Sequence, residues 1–191
     1  MLFNYQKLRA PTNNTVTLRQ EVAQGQHYSG QLWGVFGGLF GVAANELLVV
    51  SATQGEDAQA FPERVDDTVV VNEIWQPTAR PQSTAPCDKP GLYVFRRFHV
   101  MLEHVDEFVL LSQQAWQTFE HSNAYAAEPM GLFQPPPDAD GVARMMLVTW
   151  YDSFSAWETS RTPAPAAQEN FQRRHGLTLT TYAVATRLLS A

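Results

Sequence analysis

The chain carries the same order of features twice. Gly38-Leu39-Phe40 precedes an apolar run from Leu47 to Thr53, and Gly131-Leu132-Phe133 precedes a second run from Met145 to Trp150. Upstream, Leu2-Phe3-Asn4-Tyr5-Gln6-Lys7-Leu8 answers to Leu92-Tyr93-Val94-Phe95-Arg96-Arg97-Phe98. The offset of about 90 residues exceeds the ~20–50 of a solenoid unit. It points instead to two copies of one small domain packed as a pseudo-dimer, which constrains architecture far more than chemistry.

At 191 residues the chain is long enough for two such units. Only 17% of residues are charged, against 45% apolar, so some strands can bury both faces. The net charge is 13 − 19 = −6 and no run of Lys and Arg exceeds a pair. A phosphate-backbone footprint is therefore not expected, and no nucleic-acid partner with it. Cys87 is the sole cysteine, which excludes an intrachain disulfide and a thiolate zinc cage. Its Pro-rich surroundings argue against a nucleophile. The first residues lack the charged and apolar regions of a signal peptide, and no apolar run approaches the ~20 residues that span a bilayer. The expectation is a cytoplasmic protein without membrane insertion, cofactor or metal.

Each half reads strand, helix, strand, strand, helix, strand. In the first, strands are expected over about residues 2–9, 33–42, 47–53 and 68–75, with helices over 16–27 and 58–64. Asn13-Asn14-Thr15 offers side chains to start the first helix. Prolines at 77, 81, 86 and 90 make Pro77 to Gly91 an extended linker. In the second half, strands fall over about 92–100, 128–134, 143–151 and 177–184. A helix from His104 to about His121 has Asp106 and Glu107 in its first turn and Phe108, Leu111, Ala115 and Phe119 at helical spacing. Two further helical pieces, 154–161 and 168–175, flank Pro163 and Pro165, and Asp152-Ser153 caps the first. This order is the ferredoxin-like split unit. The expected fold class is α+β: tandem ferredoxin-like repeats, residues 1–78 and 91–191 joined by a linker over 79–90. Leu92, Val94 and Phe98 alternate with Tyr93 and Phe95, so the sheet is apolar on both sides and must be covered on both. The two sheets facing each other would do this, as a pseudo-dimeric α/β barrel.

The second half resembles the NIPSNAP family, a branch of the dimeric α/β-barrel superfamily. The resemblance rests on Leu92 to Phe98, Val105-Asp106-Glu107-Phe108, Met130-Gly131-Leu132-Phe133 and Leu147 to Trp157, and covers about residues 91–161. Arg96 matches the family's strand-one arginine, whereas Val94 and Thr149 stand where members often carry Glu and Trp. The resemblance implies the fold and supplies no catalytic residues. The superfamily hosts cofactor-free monooxygenases, haem-handling enzymes, small isomerases and stress-responsive proteins.

No nucleophile elbow, phosphate loop, zinc-protease or dinucleotide motif is present. His99, His104 and His121 are conceivable haem ligands but read better as caps and solvated ends. Alternation sets Arg97 and His99 on one strand face with Tyr93 and Phe95, and Arg96 on the other. Trp150, Tyr151 and Trp157 suit either an apolar pocket or plain core. The candidate ligand-binding set is Tyr93, Arg97, His99 and Trp150, in a pocket of the second half. Two functions follow. One is an enzyme acting on a small apolar molecule in the barrel, of the cofactor-free oxygenase or isomerase type. The other is a non-catalytic module that binds a small molecule or a protein, including a second copy of itself. An open lumen favours the first and a filled lumen the second.

Overall fold

A computed structural model of the chain describes residues 1–55, 68–120, 125–136, 141–162 and 165–189. Strand β1 (Leu2–Arg9) leads to helix α1 (Val16–Ala23) and strands β2 (Gln31–Phe40), β3 (Glu46–Thr53) and β4 (Val69–Arg80). The second half contains β5 (Leu92–Met101), α2 (Val105–Glu120), β6 (Ala127–Gln134), β7 (Val142–Tyr151), α3 (Phe154–Thr159), α4 (Pro165–Gly176) and β8 (Thr178–Leu188). The helix expected over 58–64 and His121 lie outside the described residues.

All strand pairs are antiparallel, and the eight strands close into a barrel ordered β1-β3-β2-β8-β5-β7-β6-β4. Within each half the sheet runs fourth strand, first, third, second: β4-β1-β3-β2, then β8-β5-β7-β6. The halves do more than face each other. β2 bonds to β8, with Phe36 opposite Leu188, and β4 bonds to β6, with Gln76 opposite Gln134. Closure gives every strand a neighbour on both sides over part of its length, so none is a free sheet edge.

Local chemistry sets the element ends. Asn14 Oδ1 accepts from the Val16 N–H at 2.9 Å and opens α1. That helix stops at Ala23, short of the expected 27, where Gly25 and His27 turn to positive φ. Ser153 Oγ accepts from the Ala156 N–H at 3.2 Å and caps α3 as expected. Helix α4 begins earlier than expected, at Pro165, a residue pre-set for the first helical position. In α2 the spaced residues Phe108, Leu111 and Ala115 are buried, together with Trp116.

The proline-rich segment differs from expectation at its start. β4 continues through Pro77 to Arg80, pairing Pro77 with Phe133. A bulge follows Pro77, and Thr78 Oγ1 donates to the Leu132 carbonyl at 2.9 Å. A bulge is where a strand tolerates a residue without an N–H. From Pro81 to Gly91 the chain has no helix or strand.

The two Gly-Leu-Phe sites are not equivalent in register. Gly131 faces Val148 in β7, and the residue facing the matching Val50 of β3 is Gly34. Gly34-Val35-Phe36 therefore corresponds to Gly131-Leu132-Phe133. Each glycine follows a bulge, at Trp33 and at Met130. A Cβ on Gly34 would meet the Phe36 ring at 2.6 Å, and one on Gly131 the Phe133 ring at 2.4 Å. Both rings are essentially inaccessible, so neither can step aside. Gly34→Ala and Gly131→Ala should each cost about 1–3 kcal/mol by overpacking. Urea unfolding reads this, and unchanged midpoints would show that the rings have room to move.

Candidate functional site

The barrel lumen is filled. Phe3 and Tyr5 of β1 and Tyr93 and Phe95 of β5 point inward, where they join Trp33, Phe36, Trp75 and Phe133. Rings from the two halves meet edge to face: Phe3 with Phe133 at 5.1 Å, Tyr5 with Phe95 at 5.8 Å, Phe36 with Phe95 at 5.1 Å. At one end of the lumen Arg97 reaches across from β5 to Glu73 on β4, with Nη2 to Oε2 at 2.6 Å and Nη1 to Oε1 at 2.9 Å. Its guanidinium lies 4.7 Å from the Tyr5 ring centre and 5.3 Å from that of Trp75. Burial works against the Arg97 charge, and Glu73 more than restores it. Burial pushes the Tyr5 hydroxyl up to about 12, with Arg97 pulling the other way.

The four residues singled out from the sequence share the expected lumen face but do not converge. Tyr93 is fully buried and its hydroxyl donates to the Lys89 carbonyl at 2.9 Å. Trp150 faces Tyr93 across the strand pair, donates Nε1–H to the Pro90 carbonyl at 3.0 Å, and has the Lys89 ammonium 5.2 Å from its ring. Arg97 sits four residues further along the strand, about 13 Å away. His99 is further still, its Nδ1 2.5 Å from Thr180 Oγ1. Arg97 is committed to Glu73, and none of the four lines the cavity between the second half's sheet and helices. His104 is in the turn before α2, 3.8 Å from Glu103. Cys87 packs against the lumen core, and burial pushes its thiol up to about 12.

The cavity, about 570 Å3, lies on the opposite face of the same strands, between the second half's sheet and its helices. It lies in the second half, on the face away from Tyr93, Arg97, His99 and Trp150. The cavity has a physical origin in the packing. In the first half the described layer between sheet and helix forms one apolar cluster around Leu18, Val22, Leu47 and Val49. In the second half it splits in two. One cluster holds Phe98, Phe108, Trp116 and Leu147, and the other Leu92, Val94 and Tyr151. The cavity opens between them, floored by Val94, Arg96 and Phe98 of β5 and by Leu147, Thr149 and Tyr151 of β7. Phe171 and Arg174 of α4 form a wall, and the exposed Gln168, Gln172 and His175 mark its mouth.

Three arginines line this mostly apolar space: Arg96, Arg161 and Arg174. Arg174 is only 7% exposed. It donates to Ser112 Oγ at 3.2 Å and lies 5.1–5.5 Å from the ring centres of Phe98, Phe108 and Phe171. Arg161 donates to Ser160 Oγ at 2.8 Å and to the Tyr151 hydroxyl at 3.2 Å. Burial, followed by the neighbouring charge of Arg96, pulls Arg174 down to about 10. Burial and the Arg161 charge likewise lower Arg96. Among the described residues no aspartate or glutamate lines the cavity. Among the described residues no group of His, Cys, Asp and Glu is placed to hold a metal ion. The sequence signal for this site was Arg96, a cation on the apolar face of Val94 and Phe98. Arg174 carried a fainter one, three residues after Phe171 on a helix.

No family model matches the chain, and no curated protein matches it significantly. Solved structures do share its fold. An anthrone oxidase-like protein superposes with a TM-score of 0.64 at 14% identity, covering 99% of this chain and 91% of its own. A ferredoxin-fold protein from Listeria monocytogenes, related to antibiotic biosynthesis monooxygenases, gives 0.58 at 13%, covering 100% and 96%. A heme-degrading enzyme from Listeria monocytogenes gives 0.55 at 12%, covering 98% and 99%. The fold is thus that of the ferredoxin-like α/β-barrel proteins. No helix among the described residues is long and apolar enough to cross a membrane.

The lumen pair has a measurable cost of removal. Glu73→Gln leaves Arg97 without its anion at a site where the two side chains are 16% and 22% exposed. A loss of about 2 kcal/mol in urea unfolding is expected, below the ~3–5 kcal/mol of a fully buried pair. A loss under about 0.5 kcal/mol would place the pair in the class of surface bridges. Cys87, its thiol held well above the ordinary range, should resist alkylation by iodoacetamide at pH 8 in the folded protein and react once unfolded. Rapid labelling of the folded chain would contradict its burial.

Proposed function

We propose that the cavity between the second sheet and its helices is a ligand site, and that the protein is an oxygenase-type enzyme acting there on a small, largely apolar molecule without a bound cofactor. One observation carries this reading: the lumen is packed with rings, while about 570 Å3 lies open on the other face of the same strands. Small-molecule sites are concave, mostly apolar, and about 300–1,000 Å3 in volume. The names borne by structural neighbours, an anthrone oxidase-like protein and putative monooxygenases, lean the same way. In this reading molecular oxygen is the co-substrate. A methylene next to an activating group loses two hydrogens, one oxygen atom becomes the new carbonyl, and the other leaves as water. His175, the one imidazole among the described lining residues, is the available proton acceptor.

We also read the chain as a fused pair of ferredoxin-like units, residues 1–78 and 91–191 joined through 79–90, with a NIPSNAP-like second unit. The recurring strand order and the matched glycine bulges support duplication. In this account Tyr93, Arg97, His99 and Trp150 are framework of the barrel. The alternative is a module that binds a small molecule without reacting it. The packed lumen favours it, as does the lack of a carboxylate base among the described residues of the cavity lining.

Oxygen uptake separates the two. With an anthrone as substrate, a chelator present and no flavin or metal added, the wild-type protein should consume oxygen. Thr149→Trp should abolish uptake by filling the cavity floor, with the unfolding midpoint unchanged. If naphthalene-type ligands bind but neither anthrone nor related polycyclic phenols draw oxygen, the protein is a binding module.

A further inference from the structure

Three cations meet in a cavity whose described lining residues supply them with no anion. Arg161 and Arg174 have hydrogen-bond acceptors in Ser160, Tyr151 and Ser112, and Arg174 has three aromatic faces. These partners orient guanidinium groups but bring no negative charge. Among the described residues, Lys7, Arg9, Arg80, Lys89, Arg97, Arg144 and Arg173 all have carboxylate partners. Arg96, Arg161 and Arg174 have none, and outside the cavity the exposed Arg187 has none either. Arg174 is buried and Arg96 half-buried, with Arg161 exposed beside them. Like charges in low-dielectric surroundings repel, and holding Arg96 and Arg174 there costs stability unless an opposite charge arrives. The register sharpens the point. Arg96, opposite Leu147, matches Gln6, opposite Val49, so a neutral side chain serves the same place in the other half.

We propose that the cavity takes a carboxylate ligand: an apolar, ring-bearing or aliphatic body whose carboxylate seats against Arg96 and Arg174, with Arg161 nearer the mouth. This rests on the ligand-site reading above and adds the substrate class. The planar guanidinium fork matches a carboxylate with two parallel hydrogen bonds. A singly charged group suits the site better than a phosphate dianion. Arg174, His175 and Gly176 belong to the last turn of α4, whose carbonyl end carries partial negative charge beside the cavity. The apolar floor of Val94, Phe98 and Leu147 takes the body of the ligand.

The test uses an acid and its neutral isostere, 1-naphthylacetate and 1-naphthylacetamide, titrated calorimetrically into the full-length protein. The acid should bind at least about tenfold tighter than the amide. Arg96→Met and Arg174→Met, which keep the apolar stem and remove the charge, should each bring the acid to the amide's affinity and leave the amide within about twofold of its wild-type value. Thr149→Trp should weaken both. If Arg174→Met fails to fold, Arg96→Met decides, because Arg96 is only partly buried. Equal wild-type affinities, both sensitive to Thr149→Trp, would overturn the carboxylate inference and leave the ligand site standing. Binding of neither compound would overturn both. A preference for the acid that survives in the folded Met variants would also overturn the inference, since the anion would then sit elsewhere.

Discussion

Everything in this molecule follows from strands that are apolar on both faces. β5 alternates Tyr93 and Phe95 inward with Leu92, Val94 and Phe98 outward, and all five are buried. Each such side chain contributes about 1.5–3 kcal/mol only if both sides of the sheet are dry. One small unit can cover the helix side of its sheet and leaves the other bare. Closing two units edge to edge into a barrel solves this. The inner faces then cover each other, through rings such as Phe3 on Phe133 and Tyr5 on Phe95. The Arg97–Glu73 pair spans the same lumen and satisfies the polar end of that core. Bulges at Trp33 and Met130, each followed by a glycine, admit a phenylalanine ring on either side of the lumen.

A lumen packed in this way leaves the open volume to the outer layer. There the two halves diverge. The first half carries Gln6 at the position where the second carries Arg96, and its described layer forms one cluster. The second half divides its apolar contacts between two clusters and leaves a cation-lined space between them. The same strand order thereby carries a closed apolar layer in one half and an open cavity in the other. Arg174 shows the tension, since burial weakens the very charge it presents.

Much of the architecture was legible in the sequence because periodicity and order survive weak identity. The strand order, the helix over Val105–Glu120, the Ser153 cap and the two faces of β5 were all readable from spacing and side-chain type. Details that depend on pairing were not. The Gly-Leu-Phe match was four residues out in the first half, because only the register with β3 reveals that Gly34 and Gly131 are the equivalent bulge glycines. Pro77 read as linker because a proline removes a ladder N–H. A bulge against β6 accommodates it. The pocket's half was legible from its aromatic strands. Its face was not, because the sequence cannot show that rings from the other half already occupy the lumen. Arg161 and Arg174 lie on separate elements after β7, and only the fold brings them beside Arg96.

The central claim is that the lumen is closed core and the sheet–helix layer of the second half is the site. A crystal structure of the protein with bound 1-naphthylacetate tests it most directly. The account predicts the naphthalene against Phe98 and Leu147, with carboxylate oxygens within about 3 Å of guanidinium nitrogens of Arg96 or Arg174. Density for the ligand inside the barrel, beside Arg97 or between Tyr93 and Trp150, would contradict it.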